Sequence, residues 1–319
     1  MRGSIARVAL AAAAVAMFAS AALSQSSRPI KVIIPYPPGG GADVLARIVA
    51  DTIGTLHGPV MVVEDRPGAA TVIGTQDVVR AEPDGNTLLF TNHSMLLVPH
   101  LRKLDYDPLT NLVPICTVAA TPTVVIVNSK SPYRKLGDLL DAARAKPGAL
   151  TYSAAPGAVS HVSVEMILHP AKISMTMVPF NGTPPQVNAV VGGHVDAAFV
   201  DYPAAAGLIK SGELRALAVG SRQRIAWLPD VPTVAESGFP DFEMVLWYGF
   251  LAPAHTPQAA LDTLAGWFAK AVEVADLRAR LQSQGMSAGG ACGAPFAASI
   301  RRQYDDYGRI IRDADIKAE

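Results

Sequence analysis

Cysteine is scarce in this chain, with two among 319 residues. The two do not form a C-x-x-C pair, which excludes a thiol–disulfide redox motif. Charge is sparse as well: 17% of residues are charged, and 27 Lys and Arg balance 27 Asp and Glu. That balance offers no basic field for a nucleic-acid backbone and argues against such a partner. Gly and Pro together make 51 residues, or 16% of the chain, short of the roughly 25–30% that marks disorder. No G-x-S-x-G elbow is present, so the α/β-hydrolase nucleophile is missing. No Gly-Lys-Ser/Thr follows a Gly-rich loop, so there is no P-loop. What the chain does have is apolar content, at 50% of its residues. At roughly 150 residues per domain, its length points to two folded domains, each with its own core.

Arg2 and Arg7 open the chain as a short positive region, followed by an apolar run from Val8 to Leu23. Ala19-Ser20-Ala21 and Ala22-Leu23-Ser24 both fit the small-x-small rule for signal-peptidase cleavage. The run is shorter than the roughly 20 residues that a membrane-spanning helix needs. Residues 1–24 are therefore expected to be a secretory signal peptide, and the mature protein to be periplasmic. Loss of Arg2 and Arg7 leaves 25 basic against 27 acidic residues, a net charge of −2. An oxidising compartment could join Cys116 and Cys292. A disulfide and two buried free thiols both fit at this point.

From Arg28 onward the pattern alternates strand and helix. The β-branched run Ile30–Ile34 ends at Pro35, and a Gly-rich loop leads into a helix with Val44, Leu45, Ile48, Val49 and Ile53 on one side. Val60–Val63, a helix over about 71–81 and the strand Leu88–Phe90 repeat the unit. A second block begins at the strand Thr123–Val127. It continues with helices near 136–145, 159–168 and 185–191, and with strands near 150–153, 175–178, 197–200 and 214–219. The strand Val245–Leu251 and helices near 257–274, 275–284 and 295–313 finish the chain. Such alternation implies mostly parallel sheet covered on both faces, here as two α/β lobes joined by more than one crossing strand.

Pro35–Asp43 is the most informative local feature. A strand, a Gly-rich turn and a helix start together aim bare N–H groups at an approaching anion. The plainer reading is a tight turn with Asp43 steadying the helix. Ser153–His161 and Phe180–Pro185 are two further small-residue loops leading into helices, now in the second block. Donor loops from both lobes suggest a carboxylate held in a cleft between them. His161, Glu165 and His169 fit metal ligands on a helix less well than one polar face. His93 and His100 read as core or loop residues, and Asp196 reads as a turn residue. Trp247-Tyr248 reads as core packing before pocket lining. An exported enzyme using Cys116 or His161 is the rival from a different class.

Many segments, in order and spacing, resemble the substrate-binding proteins of tripartite tricarboxylate transporters, the Bug receptors, over essentially the whole mature chain. They include Pro35-Tyr36-Pro37-Pro38-Gly39-Gly40 with Asp43, Glu64–Ala69, Pro83–Leu89 and Leu104–Pro108. Val178–Gly182, Gly192–Asp196, Leu228–Glu236 and Trp247-Tyr248-Gly249 continue the match. The resemblance implies a type II periplasmic binding-protein fold: two α/β lobes, a hinge and a ligand cleft between them. The lobes would be 25–122 with 246–319, and 123–245. It implies no chemistry, no cofactor and no metal, and a monomer that captures a small organic carboxylate anion. Membrane subunits of a tripartite transporter would receive the closed form, or alternatively a signalling receptor would.

Carried over, the first loop supplies Tyr36, Pro38, Gly39, Gly40, Gly41 and Asp43 to the ligand site, with Ser94 after the third strand. The second lobe supplies Ser153, Ala155, Gly157, Ala158 and His161, and Asp201 ends a strand at the cleft. The chain departs from the family pattern at Gly68-Ala69-Ala70-Thr71, at Ser94-Met95-Leu96, and at Ala42, Ala155 and Ala158. Each change removes a donor or adds a methyl group. A ligand less polar than citrate is the expectation, an aromatic or medium-chain monocarboxylate. A scaffold whose altered loops have lost binding is the other outcome of those changes.

Overall fold

A computed structural model describes residues 28–317 apart from 37, 40 and 181. The expected signal peptide lies outside the described residues. Strand β1 is Ile30–Ile34, and its apolar side chains are buried throughout while Lys31 points out. Helix α1 (Gly41–Thr55) lays Ala42, Leu45, Ala46, Val49 and Ile53 against the sheet. Val44, read from periodicity as part of that face, is 39% exposed. Next come β2 (Met61–Asp65), α2 (Val72–Val79), β3 (Thr87–Asn92) and α3 (Ser94–Leu101).

The 17-residue strand β4 (Leu112–Asn128) is the spine of the molecule. Then follow α4 (Leu136–Ala145), β5 (Thr151–Ala154), α5 (Val159–Ala171), β6 (Thr176–Pro179) and α6 (Thr183–Val191). The chain goes on through β7 (Ala197–Asp201), α7 (Tyr202–Lys210), β8 (Leu214–Val219) and β9 (Val245–Pro253). It ends with α8 (Gln258–Ala271), α9 (Ala275–Ser283), β10 (Ser287–Ala288) and α10 (Ala294–Asp313).

The strand order β2-β1-β3-β9-β4-β7-β5-β6 forms one curled sheet, with β8 and β10 also on β4. Parallel pairing is confined to β2-β1-β3 and to β7-β5-β6. Every pairing of β4 and β9 is antiparallel. The expected mostly parallel sheet is thus corrected to a mixed one, because strands that cross between lobes return beside their neighbours without a helical crossover.

Along β4, Leu112 to Pro122 pair with β9, whereas Thr123 to Asn128 pair with β7 and β8. Pro122 stands where the partners change. At that switch the Thr123 hydroxyl donates to the Met244 carbonyl at 2.7 Å. The Gly220 N–H donates to Thr123 O, and the Met244 N–H to Gly220 O, both at 2.8 Å. A Cβ on Gly220 would run into Thr123 Oγ1, so only glycine lets the returning chain approach this closely.

The core is in three parts. One fills the β1-β3 side under α1 and α8, and one lies between β7, β8 and α6. The third runs across both lobes, from Leu96 and Leu97 through Val125 and Ile167 to Phe296, Tyr307 and Ile311 of α10. Each such side chain taken fully from water contributes about 1.5–3 kcal/mol. Trp247 packs edge-on against Phe296 at 4.9 Å and donates to Gln303 Oε1 at 2.8 Å. Cys116 of β4 is bonded to Cys292, just before α10, so the pair left open by the sequence is a disulfide.

Candidate functional site

The cleft between the lobes holds two adjoining cavities of about 580 and 590 Å³. Each falls within the range of roughly 300–1,000 Å³ usual for small-molecule sites. They share Ser94 and Ala158, one from each side of the cleft. The inner cavity reaches the switch point of β4, with Thr123, Leu246 and Tyr248 in its wall. The outer cavity follows one face of α3 through Ser94, Leu97, Val98, Leu101 and Arg102. A separate crevice of about 340 Å³ between α5, residues 238–242 and α10 takes in none of the donor loops.

The first loop divides its labour. Tyr36 lines the outer cavity. Its hydroxyl donates to Asn92 Oδ1 at 2.7 Å and lies 3.2 Å from Thr91 Oγ1. Burial pushes the Tyr36 hydroxyl up to about 12, so it stays protonated and remains a donor. Ser94 N–H donates to the same Asn92 Oδ1 at 2.9 Å, which makes Asn92 the clamp between the loop and α3. Gly41 reaches the inner cavity, and Pro38 and Gly39 are exposed outside both cavities. Gly40 lies outside the described residues. Asp43 is buried but turned back on its own loop. Its carboxylate accepts from Gly39 N–H at 2.8 Å and pairs with Arg47 Nε at 2.6 Å. Asp43 therefore shapes the loop from behind and lies outside the cavity walls.

The second-lobe loop behaves in the same way. Ala155, Gly157 and Ala158 reach the cavities, whereas Ser153 and His161 do not. Ser153 is fully buried, with its hydroxyl donating to Gln186 O at 3.2 Å. His161 Nδ1 accepts from Gly157 N–H at 3.2 Å, and burial lowers the imidazole below its ordinary value. Ala155 N–H is spent on Ser160 Oγ at 3.0 Å, and Ala158 N–H on Ala155 O. The Val159 and Ser160 N–H groups, first in α5, have no acceptor among the described residues. Both residues line the inner cavity, so α5 presents free donors and the positive end of its dipole there.

Asp201 ends β7 in the inner cavity, partly buried. Burial raises its carboxyl, opposed by its own backbone N–H and by the Thr183 hydroxyl. Asn92, His93, Thr183, Gln186 and Tyr248 complete that wall. The sequence favours core over pocket for Tyr248. The two-residue period of β9 instead sends Tyr248 to the cavity and Trp247 to the core. Asn92 and His93 stand at the carboxyl end of a parallel strand, where α/β sheets hold ligands. That position is the signal that could have found them. Glu165, weighed with His161 and His169 as a metal set, accepts from the Tyr152 hydroxyl at 2.9 Å. No group of three or more His, Cys, Asp or Glu gathers as a metal site among the described residues.

Two α/β lobes around a cleft, with one spine strand shared between them, define the class of periplasmic binding proteins. The chain matches the tripartite tricarboxylate transporter family receptor over residues 45–316, and it belongs to that family. It is 32% identical over 318 residues to the UPF0065 protein in the tcbD-tcbE intergenic region of Pseudomonas sp. (strain P51). That match covers 97% of this chain and 94% of the relative. Protein BugT of Bordetella pertussis is 37% identical over 234 residues, 72% of each chain. Among solved structures, a periplasmic transporter shares 34% identity with a TM-score of 0.79, covering 91% of this chain and 98% of that one. An R. palustris protein solved with adipate shares 26% identity, with a TM-score of 0.80 over 92% and 99% of the two chains. MatC from Rhodopseudomonas palustris, with bound malate, shares 25% identity with a TM-score of 0.73 over 89% and 98%. The family is one of solute-binding receptors, and its members are periplasmic binding proteins. No helix among the described residues is long and apolar enough to cross a membrane.

Proposed function

We propose that this chain is an exported receptor that captures a small organic carboxylate, closes its two lobes on it, and delivers it to the membrane subunits of a tripartite transporter. Residues 1–24 would be the signal peptide, and the lobes would be 25–122 with 246–319, and 123–245. The partner change between Pro122 and Thr123 supports that division. The acids held by the adipate-bound and malate-bound neighbours support the ligand class. Neutral backbone donors suit a receptor that must release its ligand again.

One observation carries the preference for a less polar acid. Pro35, Pro67, Ala70, Leu97, Val98, Leu101 and Pro156 wall the outer cavity, and Arg102 is its single charged residue among those described. Ala70 and Thr71, two departures from the family pattern, put their methyl-bearing residues into that wall. Melting temperature recorded on ligand-stripped, refolded protein tests the reading. At one hundred times the dissociation constant a ligand adds about 2.7 kcal/mol of stability, and aromatic or medium-chain monocarboxylates are expected to give the rise. Tight binding of citrate with none of benzoate-like or hexanoate-like acids would overturn the preference.

A further inference from the structure

The inner cavity carries polar groups that the carboxylate site leaves without a role. Gln186 is 2% exposed and His93 1% exposed. Gln186 Oε1 and His93 Nδ1 each lack a hydrogen-bond partner among the described residues, although both residues line the cavity. Asp201 stands in the same wall and makes no capping bond to α7. No Lys or Arg lines this cavity among the described residues. Of the hydroxyls in this wall, that of Thr123 is engaged with Met244 O and that of Thr183 with Asp201 itself. What remains is an amide oxygen with nothing to receive from, a carboxylate met only by its own backbone N–H and the Thr183 hydroxyl, and an imidazole nitrogen with one lone pair or one proton to share. Leaving such groups dry and unpaired is costly, so the molecule is built for a ligand group that supplies hydrogen. A second ligand carboxylate there would meet Asp201 as a like charge.

Resting on the receptor reading above, we propose that the inner end of the cleft is an amino-group subsite, formed by Asp201, Gln186 Oε1 and His93. The ligand is then a carboxylate that also carries an amine, and not a di- or tricarboxylate. Its carboxylate meets the free Val159 and Ser160 N–H groups, its ammonium faces Asp201, and its apolar body follows α3 along the outer cavity. An ammonium opposite Asp201 also favours the ionised carboxylate, reversing the effect of burial.

Two matched sets of acids test this by calorimetry on the stripped, refolded protein at neutral pH. One is 3-phenylpropanoate, phenylalanine and benzylmalonate; the other is hexanoate, 6-aminohexanoate and adipate. The amino member of at least one set is expected to bind at least tenfold tighter than both of its counterparts. Asp201→Asn and Gln186→Leu are each expected to remove most of that preference while circular dichroism stays unchanged. The wild-type ratio decides even where a variant does not fold. Equal affinities, or a preference for the diacids, overturn the amino subsite and leave the carboxylate receptor standing. An amino preference that survives in a folded Asp201→Asn protein also overturns it. Binding of none of the six acids overturns both readings together.

Discussion

Gly157 of the second-lobe loop meets Leu101 of α3 across the mouth of the cleft. A Cβ placed on Gly157 would stand 2.8 Å from Leu101 Cδ1. Gly157 also holds φ +66°, in the left-handed region that favours glycine. One residue thus carries a backbone requirement and a contact between the two sides of the ligand site.

The two roles separate by mutation. Gly157→Ala is expected to cost about 1 kcal/mol of stability through its backbone conformation. It should also weaken carboxylate binding, because its methyl group wedges against Leu101. Adding Leu101→Ala should restore the lost affinity and leave the backbone cost in place. Calorimetric dissociation constants and melting temperatures for the two single variants and the double variant form the cycle. Additive losses of affinity would remove the wedge.

Ala69, Ala70 and Thr71 adopt φ of 47°, 54° and 81°, three left-handed residues in succession without a glycine. For an ordinary residue that conformation costs about 1–2 kcal/mol. Ala→Gly usually destabilises by about 0.5–1 kcal/mol through the freedom of the unfolded chain. At Ala70 the released strain outweighs that loss, so Ala70→Gly is expected to leave stability unchanged or raise it by up to about 1 kcal/mol. Urea denaturation midpoints decide, and a fall of 1 kcal/mol or more would contradict the strain. The same substitution removes a methyl-bearing residue from the outer cavity wall, so affinity for apolar acids should drop.

The Cys116–Cys292 bond spans a sequence separation of 176, and the whole of β5 to β9 lies inside the loop it closes. Cross-links over loops this long restrict the unfolded chain and typically stabilise by about 2–5 kcal/mol. Cys116→Ala with Cys292→Ala is expected to lose that amount in guanidinium denaturation. Dithiothreitol should lower the melting temperature of the wild type and leave the double variant unmoved. Equal denaturation midpoints for the two proteins would show that the bond contributes nothing.

Elements with one strong local signal were legible in the sequence. Ile30–Ile34, Leu136–Ala145 and Leu214–Val219 have the bounds that pattern and turn residues imply. The first eleven residues of β4 were not legible, because Pro114 and Pro122 argue against a strand interior. The fold puts Pro114 at a register shift and Pro122 at the change of partners. Pro99 hid α3 in the same way, and Pro203 and Gly207 hid α7. In the site, the small-residue loops were legible as loops, but Gly39, Ala155, Gly157 and Ala158 spend their N–H groups within them, and the free donors described are those of Val159 and Ser160. Which of their side chains reach the cavity was not legible. Asp43 and His161 look like ligand residues in sequence, but Gly39 and Gly157 supply partners that turn both back on their own loops. Gln186 becomes visible only when β3 and α6 close on one cavity.

His93 is 1% exposed, and burial lowers its imidazole to about 3 from an ordinary 6.5. The folded protein therefore holds His93 neutral where the unfolded chain would take up a proton. Because the folded value is depressed, this group's contribution to stability is complete above pH about 6.5 and is lost as the pH falls toward 3. Within that window the loss is about 1.4 kcal/mol per pH unit. His100 and His161 are lowered by burial as well, so the wild type alone does not isolate His93. His93→Gln does, since glutamine does not titrate. The stability advantage of wild type over His93→Gln should shrink by about 1.6 kcal/mol between pH 6.5 and pH 5. Urea denaturation of both proteins at matched ionic strength measures it. Parallel stability curves across that range would show that the imidazole is protonated in the folded protein, or reaches water.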